Sequence, residues 1–160
     1  MDNEAEIRIR TRTSTKELER RWKALRQAMG ERKLDFLIVQ NYSGNLGGYH
    51  RWLTDVSAGY LSTIIFPRND EMTLIGHGAR PPVPPSPPAW QVRGVKKRIS
   101  VPIVPSLGYT TTYDAEKAVE ELAPYKNCRI GLVNIGFMSA AFYKYLTQHL
   151  DSARFEDATD

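Results

Sequence analysis

The sequence holds one cysteine, Cys128, and three histidines, His50, His77 and His149. A lone cysteine excludes an internal disulfide framework and fits a reducing compartment; Cys128 reads as a small buried residue beside a strand rather than as a nucleophile. No two histidines have the helical i, i+4 spacing or the Cys/His clustering of a metal centre, so neither a metal site nor a cofactor is expected in this chain. His149 falls near a helix C-terminus, where a cation complements the dipole. Long hydrophobic runs are missing as well: none approaches the roughly 18 apolar residues of a membrane span. The first 13 residues alternate charge with threonine and lack the apolar stretch of a secretory signal. Charge of one sign is scarce, since 22 basic against 18 acidic residues leave a net +4. The one basic run, Arg93, Lys96, Lys97 and Arg98, has no interleaved aromatic rings on which bases could stack. The expectation is a soluble, cytoplasmic protein with no nucleic-acid and no membrane partner. There is no Gly-x-Ser-x-Gly elbow and no GKS or GKT phosphate loop, and Asp55, Asp70, Asp114, Glu120 and Glu121 are expected in loops and on helix surfaces. No catalytic residue is expected.

What is present is the pattern of an α/β domain. A chain of 160 residues fits one globule with a real core, read as a flexible N-terminal arm, 1–13, and one domain, 14–160. Its centre is Leu34 to Asp55, an apolar strand that opens into a glycine-spaced loop loaded with aromatic and ionisable side chains. Asp35–Gln40 lacks the alternation of a half-exposed strand, so both of its faces should be covered. Ligands of open α/β sheets bind beyond the carboxyl ends of the strands, and the segment leaving this one carries Asn41, Tyr42, Asn45, Tyr49, His50, Arg51 and Trp52. Gly44-x-x-Gly47-Gly48 lacks the spacing and the later acid of a dinucleotide-binding turn.

Before that strand, Ser14 and Glu17 form a capping box, and Leu18, Trp22, Leu25 and Met29 share one face of a helix from about Thr15 to Arg32. A short helix is expected around Tyr49–Leu53. Beyond it, Tyr60–Phe66 and Glu71–Gly76 flank Pro67-Arg68-Asn69-Asp70 and read as an antiparallel hairpin. Six of the eight residues from Pro81 to Pro88 are proline, which predicts an extended surface connector in which Pro82 to Pro85 and Pro85 to Pro88 each fit PxxP. Ile99–Val104 is β-branched and apolar, and Pro102 and Pro105 mark it as a short or edge strand. A helix starting near Thr111–Asp114 places Ala115, Ala118, Val119 and Leu122 together and stops at Pro124. Arg129–Asn134 is a second fully apolar strand. A helix from Ser139 has Phe142, Tyr143, Leu146 and Leu150 on one side, and Phe155–Ala158 ends the chain as a short strand. The alternation gives a three-layer α/β fold with a mixed, mostly parallel sheet and one antiparallel hairpin, in which Asp35–Gln40 and Arg129–Asn134 are interior and parallel.

The order of these elements resembles the N-terminal domain of the creatinase and prolidase family, which includes Xaa-Pro aminopeptidases and dipeptidases. The likeness rests on the helix Arg21, Leu25, Met29 leading into Leu34-Asp35, the loop ending Trp52-Leu53-Thr54, the hairpin closing on Ile75-Gly76, and the step from Leu122 to Arg129-Ile130-Gly131-Leu132. It covers about residues 17 to 158. The resemblance implies a ribonuclease-H-like domain, itself non-catalytic, preceding a pita-bread catalytic domain whose carboxylates and histidine hold divalent metals such as Mn, Co or Zn. It further implies a homodimeric parent in which a loop after the first strand reaches a neighbour's substrate; Tyr49, His50, Arg51 and Trp52 fall in that loop. Two readings are therefore carried forward: a substrate-gating and oligomerising domain of such a hydrolase, and an independent α/β module for a small ligand or a protein. The alternative at Arg51 is an ion pair with Asp55 four residues later.

Overall fold

The computed structural model describes residues 12–41, 48–56, 61–78, 88–102 and 111–160. The N-terminal arm up to residue 11, Gly44 and Gly47, the proline-rich stretch 81–87 with its PxxP matches, and residues 103–110 lie outside them. Arg12 and Thr13, assigned from the sequence to the arm, are tied down: the Arg12 guanidinium lies 4.0 Å over the Trp90 ring, and the Thr13 amide and hydroxyl both donate to Asp55.

The first element among the described residues is α1 (Thr15–Glu31), capped where expected: the Ser14 hydroxyl accepts from the Glu17 amide at 3.1 Å. The reciprocal half of the capping box is not made, because Arg20 and then Arg21 bind the Glu17 carboxylate and hold it down to about 2 from its ordinary 4.5. Leu18, Trp22 and Met29 are buried along one face. At the far end Lys33 takes φ 58, and the amides of Lys33 and Leu34 return to the carbonyls of Gly30 and Met29. This is the paired hydrogen bonding of a Schellman stop, with lysine where glycine is usual. The stop turns the chain directly into β1.

Six strands follow in one sheet: β1 (Phe36–Asn41), β2 (Ser62–Pro67), β3 (Met72–His77), β4 (Val95–Val101), β5 (Arg129–Val133) and β6 (Arg154–Asp157), with spatial order β4-β3-β2-β1-β5-β6. β1 pairs in parallel with β5, Ile38 opposite Leu132, and antiparallel with β2; β2–β3 is the expected hairpin, and β3–β4 and β5–β6 are parallel. Five strands thus run one way and only β2 runs against them. Both apolar strands singled out in the sequence are interior, as their composition required. The basic run, expected as a solvated loop or the entrance to a strand, straddles the start of β4: Arg93 precedes it, and Lys96, Lys97 and Arg98 are exposed early in an edge strand that begins at Val95, sooner than expected. Charge on an edge strand discourages pairing with another chain.

Strand residues alternate between two cores. On one face Phe36, Ile38, Ile65, Ile75, Ile130 and Leu132 meet α3 (Tyr113–Leu122) and α4 (Ala140–His149) through Ala115, Ala118, Leu122, Phe142 and Leu146. On the other, Leu37, Val39, Ile64, Phe66 and Val133 meet α1 and the short α2 (Gly48–Thr54) through Leu18, Trp22, Met29 and Leu53. The result is helix, sheet and helix, the ribonuclease-H-like arrangement. Tyr143, expected on the buried side of α4 with Phe142, is 41% exposed: it sits one residue, about 100° of helix, off the Phe142, Leu146, Leu150 stripe. Gly131 is set by close approach, since a Cβ there would come within 2.6 Å of the Leu37 side chain. No helix among the described residues is long and apolar enough to cross a membrane.

Candidate functional site

The helix α2 leaves the carboxyl end of β1 and sorts its four candidate residues by helical phase. Tyr49 and Trp52 are 39% and 43% exposed, and Arg51 is exposed beside them. His50 faces the other way, with Leu53 and Thr54, and is 6% exposed. Its Nδ1 lies 2.9 Å from the Val56 carbonyl, and Thr54 donates to the His50 carbonyl at 2.8 Å, so this histidine fastens the end of α2. Burial pushes the His50 imidazole below its ordinary value, opposed in part by the Val56 carbonyl. The structure therefore leaves Tyr49, Arg51 and Trp52 exposed on α2 and buries His50.

Two contacts hold the exposed face in place. The Trp22 indole N–H donates to the Leu53 carbonyl at 2.8 Å inside the core, and Arg21 donates to the Trp52 carbonyl at 3.0 Å while its guanidinium lies 5.5 Å from the centre of the Trp52 ring. The ion pair considered between Arg51 and Asp55 is not formed. The helix ends at Thr54, Asp55 adopts φ 61, and its carboxylate turns away to Thr13 and to Arg93 at 3.2 Å. Arg51 has no acidic partner among the described residues. The rest of the basic run is committed, Lys96 to Asp70 and Lys97 to Glu121.

Sequence reasoning missed a second cluster. Asp114, expected on a helix surface, is 2% exposed at the start of α3. Its Oδ2 accepts from Gln40 Nε2 at 2.9 Å and from Thr63 Oγ1 at 3.0 Å, and its Oδ1 accepts from the Ala115 amide. Gln40 in turn accepts the Ser139 amide at 3.2 Å. His77 Nε2 stands 3.6 Å from Asp114 Oδ2, too far for a hydrogen bond, and has no hydrogen-bond partner although it is sealed from solvent. The signal was present: Asp114 falls in phase with Ala118 and Leu122 on the apolar stripe of α3, and Gln40 continues the Phe36, Ile38 face of β1. With both side chains of the His77–Asp114 pair 2% exposed, the cluster fastens α3 across the carboxyl ends of β1 and β3 and the amino end of β2 rather than presenting groups to a substrate.

The donor sets do not fit the divalent metals that the resemblance implies for a hydrolase: among the described residues no three His, Cys, Asp or Glu side chains come together. Cys128 is buried, and burial, then the Asp35 carboxylate, pushes its thiol up, which suits an inert core residue.

No family model matches the sequence, and no curated protein does. Solved structures do. A creatinase-N domain of a dipeptidase from Streptococcus thermophilus superposes with a TM-score of 0.57 at 15% identity, covering 86% of this chain and 92% of that one. The N-terminal, creatinase/prolidase-like domain of a metallopeptidase from Corynebacterium diphtheriae gives 0.56 at 12%, covering 89% and 97%. The fold is that of a creatinase/prolidase N-terminal domain. A longer structure, an Xaa-Pro dipeptidase from Bacillus anthracis, matches 89% of this chain with 34% of its own, at 10% identity and a TM-score of 0.57. In that protein the creatinase/prolidase-like fold is about a third of the whole. At such identities the likeness concerns the fold alone.

Proposed function

We propose that this chain is the non-catalytic N-terminal domain of a creatinase-like or Xaa-Pro-peptidase-like hydrolase, and that the outward face of α2 covers the active site of a neighbouring subunit. The supporting observation is an exposed arginine without an acidic partner among the described residues, on the same short helix as two exposed aromatic side chains, Tyr49 and Trp52. The guanidinium offers a planar fork that pairs bidentately with a carboxylate, and Tyr49 and Trp52 flank it as the groups that would exclude water from that pair. In this reading the parent is a cytoplasmic homodimer, and its divalent metal, Mn, Co or Zn, sits in a pita-bread catalytic domain rather than here. His50 acts from behind, holding the end of α2.

Two measurements test it. Intact-mass analysis of the protein isolated from its own cells should give a chain well above 18.2 kDa; a mass equal to this chain alone would end the hydrolase reading. In the parent, Arg51→Ala should lower kcat/KM by an amount equivalent to about 1.5 to 3 kcal/mol, the worth of a charge-assisted hydrogen bond, with melting temperature and metal content unchanged. Unaltered kinetics on carboxylate-bearing substrates would remove Arg51 from the site.

A further inference from the structure

At the opposite end of the sheet, where β1 and β5 begin, the structure holds an open cleft of about 520 Å³ between the β2–β3 turn and the α3–β5 loop. This is within the range of small-molecule sites. Its floor is apolar, formed by Phe36, Pro67 and Cys128, all buried. Its acids are already satisfied. Asp35 accepts the Arg129 amide at 2.9 Å and faces Arg68 at 3.4 Å, while Asp70 is paired with Lys96, which, followed by the Glu71 amide, holds its carboxyl below the usual range.

The groups left over are of one kind. Lys126 lines the cleft, is exposed, and has no carboxylate partner among the described residues. Arg68 spends one long contact on Asp35 and keeps its other donors. Tyr125 stands at the rim, 48% exposed, its orientation set by a T-shaped contact with Phe36 at 4.8 Å and 62°. An aromatic wall, an apolar floor and two cations with spare donors in one cleft define a complementary ligand. We infer that this cleft binds a small aromatic carboxylate, its ring against Tyr125 and its anionic group drawn to Lys126 and Arg68. The site lies where β1 and β5 begin and β2 ends, away from α2, and does not depend on the proposed hydrolase.

The test uses this chain, 4-hydroxyphenylacetate as probe, and its neutral counterpart 4-hydroxyphenylethanol, followed by amide chemical shifts in a two-dimensional NMR titration. The expected result is saturable shifts confined to Asn69, Tyr125, Lys126 and Asn127, with the neutral compound at least ten times weaker. Lys126→Ala and Tyr125→Ala, both at exposed positions, should each weaken binding by roughly 5-fold with an unchanged melting temperature. No saturable shift at millimolar probe, shifts centred elsewhere, equal binding of the neutral compound, or wild-type affinity in both variants would each overturn the inference.

Discussion

Asp114 shows what a single buried carboxylate can organise. Gln40, Thr63 and the Ala115 amide all donate to it, so removing it strands two side-chain donors in a closed core. A stranded donor costs the full desolvation of the group, whereas deleting one donor from a satisfied acceptor costs only one net hydrogen bond. Asp114→Ala should therefore destabilise by about 3 kcal/mol and Thr63→Val by about 1 kcal/mol in urea denaturation. Equal effects would show that the carboxylate is not the hub. This residue was also the least legible in the sequence. An acid in the first turn of a helix is ordinarily a surface group favoured by the dipole, and the partners that bury it come from β1, β2 and β3, far away along the chain. Arg51 and Asp55 failed for a related reason: the i, i+4 rule presumes an unbroken helix, and this helix stops between them.

At the scale of elements, legibility tracked burial on both sides. β1 and β5 were readable because covered strands are apolar throughout, and α1, α3 and α4 because each carries one apolar stripe. The start of β4 was not readable, since an edge strand needs only one inward row and can carry Lys96, Lys97 and Arg98 without loss. The turn between α1 and β1 offers the sharpest test at this scale. Lys33 is exposed and occupies φ 58, a conformation that glycine adopts without steric cost. Lys33→Gly should raise stability by roughly 0.5 kcal/mol, the relief of left-handed strain less the added freedom of the unfolded chain, whereas Lys33→Val should lower it. A glycine variant melting below the wild type would mean that this lysine makes a contact worth more than its strain.

For the whole molecule, the sheet divides into a part built from neighbours in sequence and a part that is not. β1, β2 and β3 pair in order through the hairpin, but β5 reaches β1 only after α3, and the Arg129 amide meets Asp35 across 94 residues. Closing so long a span costs entropy before any contact repays it, so the β1–β3 meander should form first. In pulse-labelled hydrogen exchange during refolding, amides of Ile38 and Ile64 should gain protection before those of Ile130 and Phe155; simultaneous protection would contradict this order.

The pairing of β1 with β5 also has a consequence for a nascent chain. Until Arg129–Val133 arrives, one edge of β1 stands unpaired, and Phe36, Ile38 and their neighbours lack the α4 side chains that help to cover them. An unpaired edge on an apolar strand is a template for another copy of itself. A ribosome stalled after α3 would thus hold this domain at its most aggregation-prone length, which makes the last third of the sequence, although remote from α2, the part that keeps the first third soluble.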